Sequence, residues 1–394
     1  MFSVLRDRIL LKEKGERYLR LNHDGKAVVD PFGTSSVTDY GRLSEQFGIE
    51  PFATALAKVP DPSFYMRRGV LFGHRDFGRI LDAINANDNF AVLSGIKPTG
   101  EFHLGTLMTA KEIIYFQQHG AQTFYCVADI EAYEDNKISF EKSERIAVEN
   151  VADMFALGLD PARAYIYRQS RENRVKDLAV ILGRPLTLAT MKAIYGERRI
   201  GLYLAALIQA GDILLPQLED FGGPKPTVVP VGVDQDPHIR FTRDLARVFH
   251  RKYGFISPSA TYHKLIRGLD GSPKMSKRQM NYFTLYDKPE VIVRRISNAF
   301  TGGRPTIKEQ RELGGVPEVC PIYEICLFHF TEDDRKIAET YHECKTGRLL
   351  CGDHKKQTID AVVKFVNEHA KKRKSYIDKA REVLRIGYDE ERFC

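Results

Sequence analysis

The chain has 394 residues, 43% apolar and 28% charged, a globular composition too long for one ordinary core, so two or three domains are expected. No apolar run approaches the ~20 residues that span a bilayer, and the mixed charges of "MFSVLRDRILLKEKGERYLR" fit neither a signal nor a transit peptide, so the expectation is a cytoplasmic protein with no membrane partner. Six scattered cysteines form no C-x-x-C pair, and a formal net charge of +7 permits a polyanionic partner without demanding one.

In chain order, residues 1–85 contain turn-rich stretches such as "DPFGTSS" and "KVPDPSF" and read as an appended N-terminal region. At residue 90 the pattern changes. "FAVLSG" is a short apolar run ending at Gly95, "HLGTLMTAKEIIYFQQHG" is helix-like and closes at Gly120, and "QTFYCVADI" is a second strand. Strand, crossover helix and strand make a βαβ unit. "AYIYRQS" and "PTVVPVGVDQD" supply further strands, so residues 86–290 read as an α/β, parallel-sheet domain. Within it, about 171–222, "VKDLAVILG", "LATMKAIYG" and "GLYLAALIQAGDILL" have helical spacing and form an insertion. From 291 to 394 the chain runs through amphipathic helices and reads as an all-helical C-terminal domain.

The loop "KPTGEFHLGT" follows the first strand. Open parallel sheets bind ligands at the carboxyl ends of their strands, and helix N-termini attract phosphate. Pro98 would stiffen this loop, Gly100 and Gly105 would let backbone N–H groups approach an anion, and His103 would add a side-chain donor. Taken alone, a histidine in this setting is more often a cap or packing residue than a catalytic one. "LDGSPKMSKRQMNYF" carries Lys274, Met275, Ser276 and Lys277 after a Gly-Ser-Pro turn, and alone would be a solvated basic turn. "VPVGVDQDPHIRFTRDLA" places Gly232, Asp234 and Gln235 after a strand, with Asp236 expected to cap the next helix. In "VADIEAYED", Asp129 and Glu131 stand where the second strand runs out, putting at least one carboxylate at the crevice.

The phosphate-binding loop and the K-M-S-K loop together resemble the two signatures of class I aminoacyl-tRNA synthetases. With "DYGRLSEQFG", "RRGVLFGHRDFGRILDA" and "NAFTGGRPTIKEQRELGG", most of the chain is similar to the tryptophanyl-tRNA synthetases of the archaeal and eukaryotic type. That resemblance implies a Rossmann catalytic domain, a helical connective insertion, a C-terminal anticodon-binding domain and a homodimer. It implies activation of L-tryptophan by ATP with Mg²⁺, then transfer to tRNA(Trp). By resemblance His103, Lys274, Ser276 and Lys277 are catalytic. Pro98, Gly100, His103, Gly105, Thr106, Gly232, Asp234, Lys274 and Met275 bind ATP, and Leu93, Glu131, Gln209, Asp212 and Gln235 bind the amino acid. No protein-held metal site is expected.

Three departures stand out. Thr106 replaces the histidine or asparagine that usually ends the first signature, and Arg278 replaces the serine that usually ends the second. Leu93 and Cys126 occupy positions where eukaryotic relatives carry an indole-binding tyrosine and glutamine. An acceptor for the indole N–H is still needed. Asp212, in "IQAGDILL", is the candidate because bacterial tryptophanyl enzymes carry an aspartate in a similar helix; the alternative is that it caps or solvates its own helix. Rival readings are a tyrosyl-tRNA synthetase, a small-molecule nucleotidyl transferase and a catalytically silent RNA-binding paralogue.

Overall fold

The computed structural model describes residues 40–275 and 279–385. Its sheet is built from β1 (Glu50–Pro51), β2 (Leu71–Arg75), β3 (Ala91–Ile96), β4 (Gln122–Val127), β5 (Ala164–Arg168), β6 (Thr227–Gly232) and β7 (Ser259–His263). The strand order is β1-β2-β7-β6-β3-β4-β5. Strands β3 to β7 run parallel, and β2 and β1 extend the β7 edge in antiparallel pairing. The parallel set starts at β3, grows outward through β4 and β5, then restarts on the other side of β3 with β6 and β7. That reversal opens a crevice beyond the carboxyl ends of β3 and β6, the topological switch point where such sheets bind ligands.

Both faces of the parallel strands are covered, so their sequences are apolar almost throughout. On one face Val92 and Ile96 pack against Leu104, Leu107, Met108 and Phe116 of the helix Leu104–Gln118. On the other, Leu93, Phe124, Cys126 and Tyr167 cluster with Val175 and Ile213 of the inserted helices. Those helices, Asn173–Gly183, Leu188–Tyr195 and Ile200–Leu214, lie between β5 and β6. The stretch Ile200–Gln217 is apolar and long enough to cross a membrane, but most of it is buried inside the fold; it is a core helix.

The region read as appended supplies β1 and β2 to the same sheet. At the other end, the helix Cys351–Arg385 lies along Phe140–Leu157, with Val362, Val366 and Ala380 sharing a core with Val151, Met154 and Phe155. Asp153, fully buried between them, accepts from Tyr286 Oη at 2.6 Å and meets His369 Nε2 at 2.7 Å.

Candidate active site

The loop after β3 turns into the helix Leu104–Gln118 at His103, whose extended backbone makes it the N-cap. Its Nδ1 accepts from the Gly105 N–H at 3.1 Å and the Thr106 N–H at 3.4 Å. An accepting Nδ1 leaves the proton on Nε2, which faces Thr106 Oγ1 at 3.4 Å. Gly105 suits this packing: a Cβ there would lie 3.1 Å from the His103 ring and push it aside by a few tenths of an ångström. The imidazole thus covers the backbone donors that a phosphate would use. Pro98 is buried, Thr106 half-buried, and the Gly100 carbonyl is anchored by Asn150 Nδ2 at 3.3 Å.

The segment that follows the second signature comes back to this loop. Thr284 forms a bridge with His103, and the Leu285 N–H donates to the Phe102 carbonyl at 2.9 Å. Met275 is half-buried, and its N–H donates to the Ile266 carbonyl at 2.7 Å. Lys274 Nζ lies 3.2 Å from Asp234 Oδ2. Ser276 and Lys277, with Arg278, lie outside the described residues.

Beyond β6, Val233–Gln235 form a tight turn, and a Cβ on Gly232 would sit 2.7 Å from Asp234 Oδ1, so glycine allows the close approach. Gln209 Nε2 donates to Gln235 Oε1 at 3.3 Å, joining the inserted helix to this turn. Asp236 is not the cap its position suggests. Its carboxylate is buried and takes both Nε and Nη2 of Arg75 at 2.8 and 2.9 Å, because a charge drawn under the sheet edge must be paired.

The carboxylates after β4 separate into two roles. Asp129 is fully buried, holding Arg168 Nε at 3.0 Å and the Ser170 N–H at 2.9 Å, and so braces the end of β5. Glu131 is half-buried, with Oε1 at 2.7 Å from Lys97 Nζ. Burial works against the Lys97 charge, but Glu131 and Asp135 outweigh it and hold the ammonium above the usual lysine range. Sequence reasoning left Lys97 unassigned although it opens the quoted loop.

Leu93 and Cys126 are each buried in the apolar cluster beneath the inserted helices. Gly95 is the exposed residue of β3, and a Cβ there would collide with the Cys126 carbonyl. Asp212, also buried, accepts from Tyr167 Oη at 2.8 Å and Gln169 Nε2 at 2.6 Å. Burial pushes its carboxyl up to about 7, with the bonds from Gln169 and Tyr167 opposing. It is therefore neither a helix cap nor solvated. Tyr167 and Gln169 were not singled out in the sequence; the "YIYRQS" run shows a strand but not what its side chains face.

A family profile described as tRNA synthetases class I (W and Y) matches residues 85–367. The tryptophan–tRNA ligase of Methanocaldococcus jannaschii is 41% identical over 91% of this chain and 98% of its own length. That of Aeropyrum pernix is 43% identical over 90% of this chain and 96% of its own. The crystal structure of tryptophanyl-tRNA synthetase from Aeropyrum pernix superposes with a TM-score of 0.84 at 42% identity, covering 90% of this chain and 98% of that one. The Plasmodium falciparum enzyme gives 0.79 at 26% identity, covering 88% of this chain and 97% of that one. The chain belongs to the archaeal-type tryptophanyl-tRNA synthetases of the class I family, and it joins tryptophan to its tRNA using ATP.

Proposed function

We propose that the crevice beyond β3 and β6 is where the tryptophan carboxylate attacks the α-phosphorus of ATP. The observation that carries this reading is that Lys274 meets Asp234 in the turn after β6, while the chain beyond Lys274 returns at Thr284 to bridge His103 after β3. The reaction needs no nucleophilic side chain; positioning and charge stabilisation supply the rate. ATP lies along Pro98, Gly100, His103, Gly105, Thr106, Gly232, Asp234, Lys274 and Met275. His103 leaves the helix N–H groups it caps and turns toward phosphate oxygen. Lys274, with Ser276 and Lys277, stabilises charge passing to pyrophosphate.

Mg²⁺ fits as an ion carried by the triphosphate. Among the described residues no three His, Cys, Asp or Glu side chains gather to hold a metal, and Mg²⁺ commonly binds through substrate phosphates with retained water. It would offset phosphate charge during the step.

On the amino-acid side, Glu131 takes the ammonium group. Gln209 and Gln235 orient the head group, Leu93 forms part of the apolar wall, and Asp212 accepts the indole N–H. Residues 86–290 are the catalytic unit, with 171–222 as its insertion, and 291–394 read the anticodon. The enzyme is proposed to act as a cytoplasmic homodimer. Exposed Val180, Leu188, Ile200 and Leu204 on the inserted helices support pairing of two copies.

ATP–pyrophosphate exchange with His103→Asn and Lys274→Ala tests the site. Both are expected to lose turnover; full exchange activity in both would refute it. Sedimentation of the intact chain tests the dimer.

A further inference from the structure

We infer that Lys97 holds the α-carboxylate of the substrate, so that Lys97 and Glu131 together read the amino acid as a zwitterion. The inference rests on Glu131 as the site of the ammonium group. Lys97 leaves β3 at the switch point, one residue before Pro98. A residue ahead of proline is confined to extended conformations, which limits the directions its side chain can take. Its Nζ lies 2.7 Å from Glu131 Oε1 and 2.7 Å from Asp135 Oδ2. The two carboxylates are one turn apart on the helix Asp129–Asn136 and share a face.

The charge count is uneven. Among the described residues, two carboxylates share one ammonium group, that of Lys97. One negative charge is left over. The side chains of Lys97, Glu131 and Asp135 are 26, 15 and 23% exposed, so the set is shielded enough for charge to matter yet open to a ligand. A zwitterion adds one charge of each sign: its ammonium meets the spare negative charge, and its carboxylate then needs a cation of its own.

The cluster also lies next to the proposed indole acceptor. Gln169 donates to Asp212 Oδ2 at 2.6 Å and accepts from the Glu131 N–H at 3.4 Å, so one side chain spans the two ends of the pocket. With the indole toward Asp212 and the ammonium on Glu131, the substrate carboxylate lies one carbon from the ammonium. Lys97 is the cation already at Glu131, and an unpaired carboxylate in this crevice would be costly. Asp135 stays behind as the partner that keeps the lysine charged and aimed.

In the reaction, a carboxylate lone pair forms the new oxygen–phosphorus bond while the bond from α-phosphorus to the bridging oxygen breaks and pyrophosphate leaves with the electron pair. Lys97 keeps its proton throughout. It therefore positions the nucleophile and binds the ground state at least as strongly as the transition state, so its loss raises KM more than it lowers kcat.

The test compares L-tryptophan with tryptamine, which has the indole and the ammonium but no carboxylate, by calorimetric binding to the full chain. Lys97→Met is expected to weaken tryptophan by roughly tenfold or more and to leave tryptamine unchanged or tighter, because a competing cation has gone. Lys97→Arg should restore part of the preference for tryptophan. Equal weakening of both ligands by Lys97→Met, in a variant with unchanged thermal unfolding, would mean that the lysine only braces its helix and would overturn the inference. Glu131→Gln is the separate control for the reading beneath it: tryptamine binding that survives this change removes Glu131 from the ammonium site, while the Lys97→Met comparison still decides who holds the carboxylate.

Discussion

Lys274 reaches back from the segment after β7 to Asp234 in the turn after β6, Nζ to Oδ2 at 3.2 Å. The pair links the loop proposed to stabilise departing pyrophosphate with the turn proposed to bind ATP. Both side chains are partly exposed, so the pair itself adds little stability and can open for a nucleotide. Lys274→Ala should lower the activation rate by roughly 10²-fold while shifting the tryptophan KM little, since it removes an interaction made mainly in the transition state. Pre-steady-state adenylate formation measures both. A large loss of tryptophan affinity with an intact rate would contradict it.

Asp212 gives a second prediction. Removing it strands the indole N–H and also Tyr167 and Gln169, which both donate to its carboxylate. Asp212→Ala should cost roughly 1–3 kcal/mol in kcat/KM for tryptophan, together with a drop in thermal stability. Asp212→Asn keeps the shape and one acceptor, and should lose less of each. A stable Asp212→Ala variant with unaltered kcat/KM would remove Asp212 from the indole site.

Glu112 sets a pH dependence of stability. It is buried beneath the sheet, bonded by Thr261 Oγ1 at 2.9 Å, and burial raises its pKa from 4.5 to about 8. Between those two values the folded chain holds a proton that the unfolded chain has released, so stability falls as pH rises through this window. Glu112→Gln removes the slope. Denaturant unfolding should find the variant about as stable as the parent near pH 5, and more stable near pH 8 by roughly 2–4 kcal/mol. A parent whose stability is flat from pH 5 to 8 would contradict this.

RNA contact is assigned to the C-terminal helices, where Lys371, Lys372 and Lys374 are exposed while Arg373 packs over the Tyr286 ring at 3.8 Å. Reversing the three exposed charges should lower kcat/KM for tRNA by roughly tenfold at low salt and leave pyrophosphate exchange intact. Unchanged charging kinetics would exclude this stretch from the interface. Arg373 is left out because it is committed to the fold.

Much of this was readable from sequence because the parallel strands are short apolar runs, and the residues after them fall at the ligand edge whatever the rest of the chain does. His103 and Asp234 could be found that way, and Lys274 by its K-M-S-K pattern. β2 and β7 could not: "LFGHR" and "SATYH" bury His74, Thr261 and His263, so no apolar alternation marks them, and they pair across almost two hundred residues. Asp236 was misread as a cap because the local turn is indistinguishable from one until Arg75 arrives from β2. Likewise Lys97 with Glu131, and Tyr167 with Asp212, meet only through tertiary packing; nothing in their spacing records the encounter.

Pyrophosphate exchange by the unmodified enzyme, run with tryptophan and with tyrosine under identical conditions, tests the central claim most directly. The proposed pocket, with Leu93 in its wall and buried Asp212 as the indole acceptor, should support exchange with tryptophan at a kcat/KM at least ~10²-fold above that with tyrosine. Exchange driven by tyrosine and not by tryptophan would contradict the account.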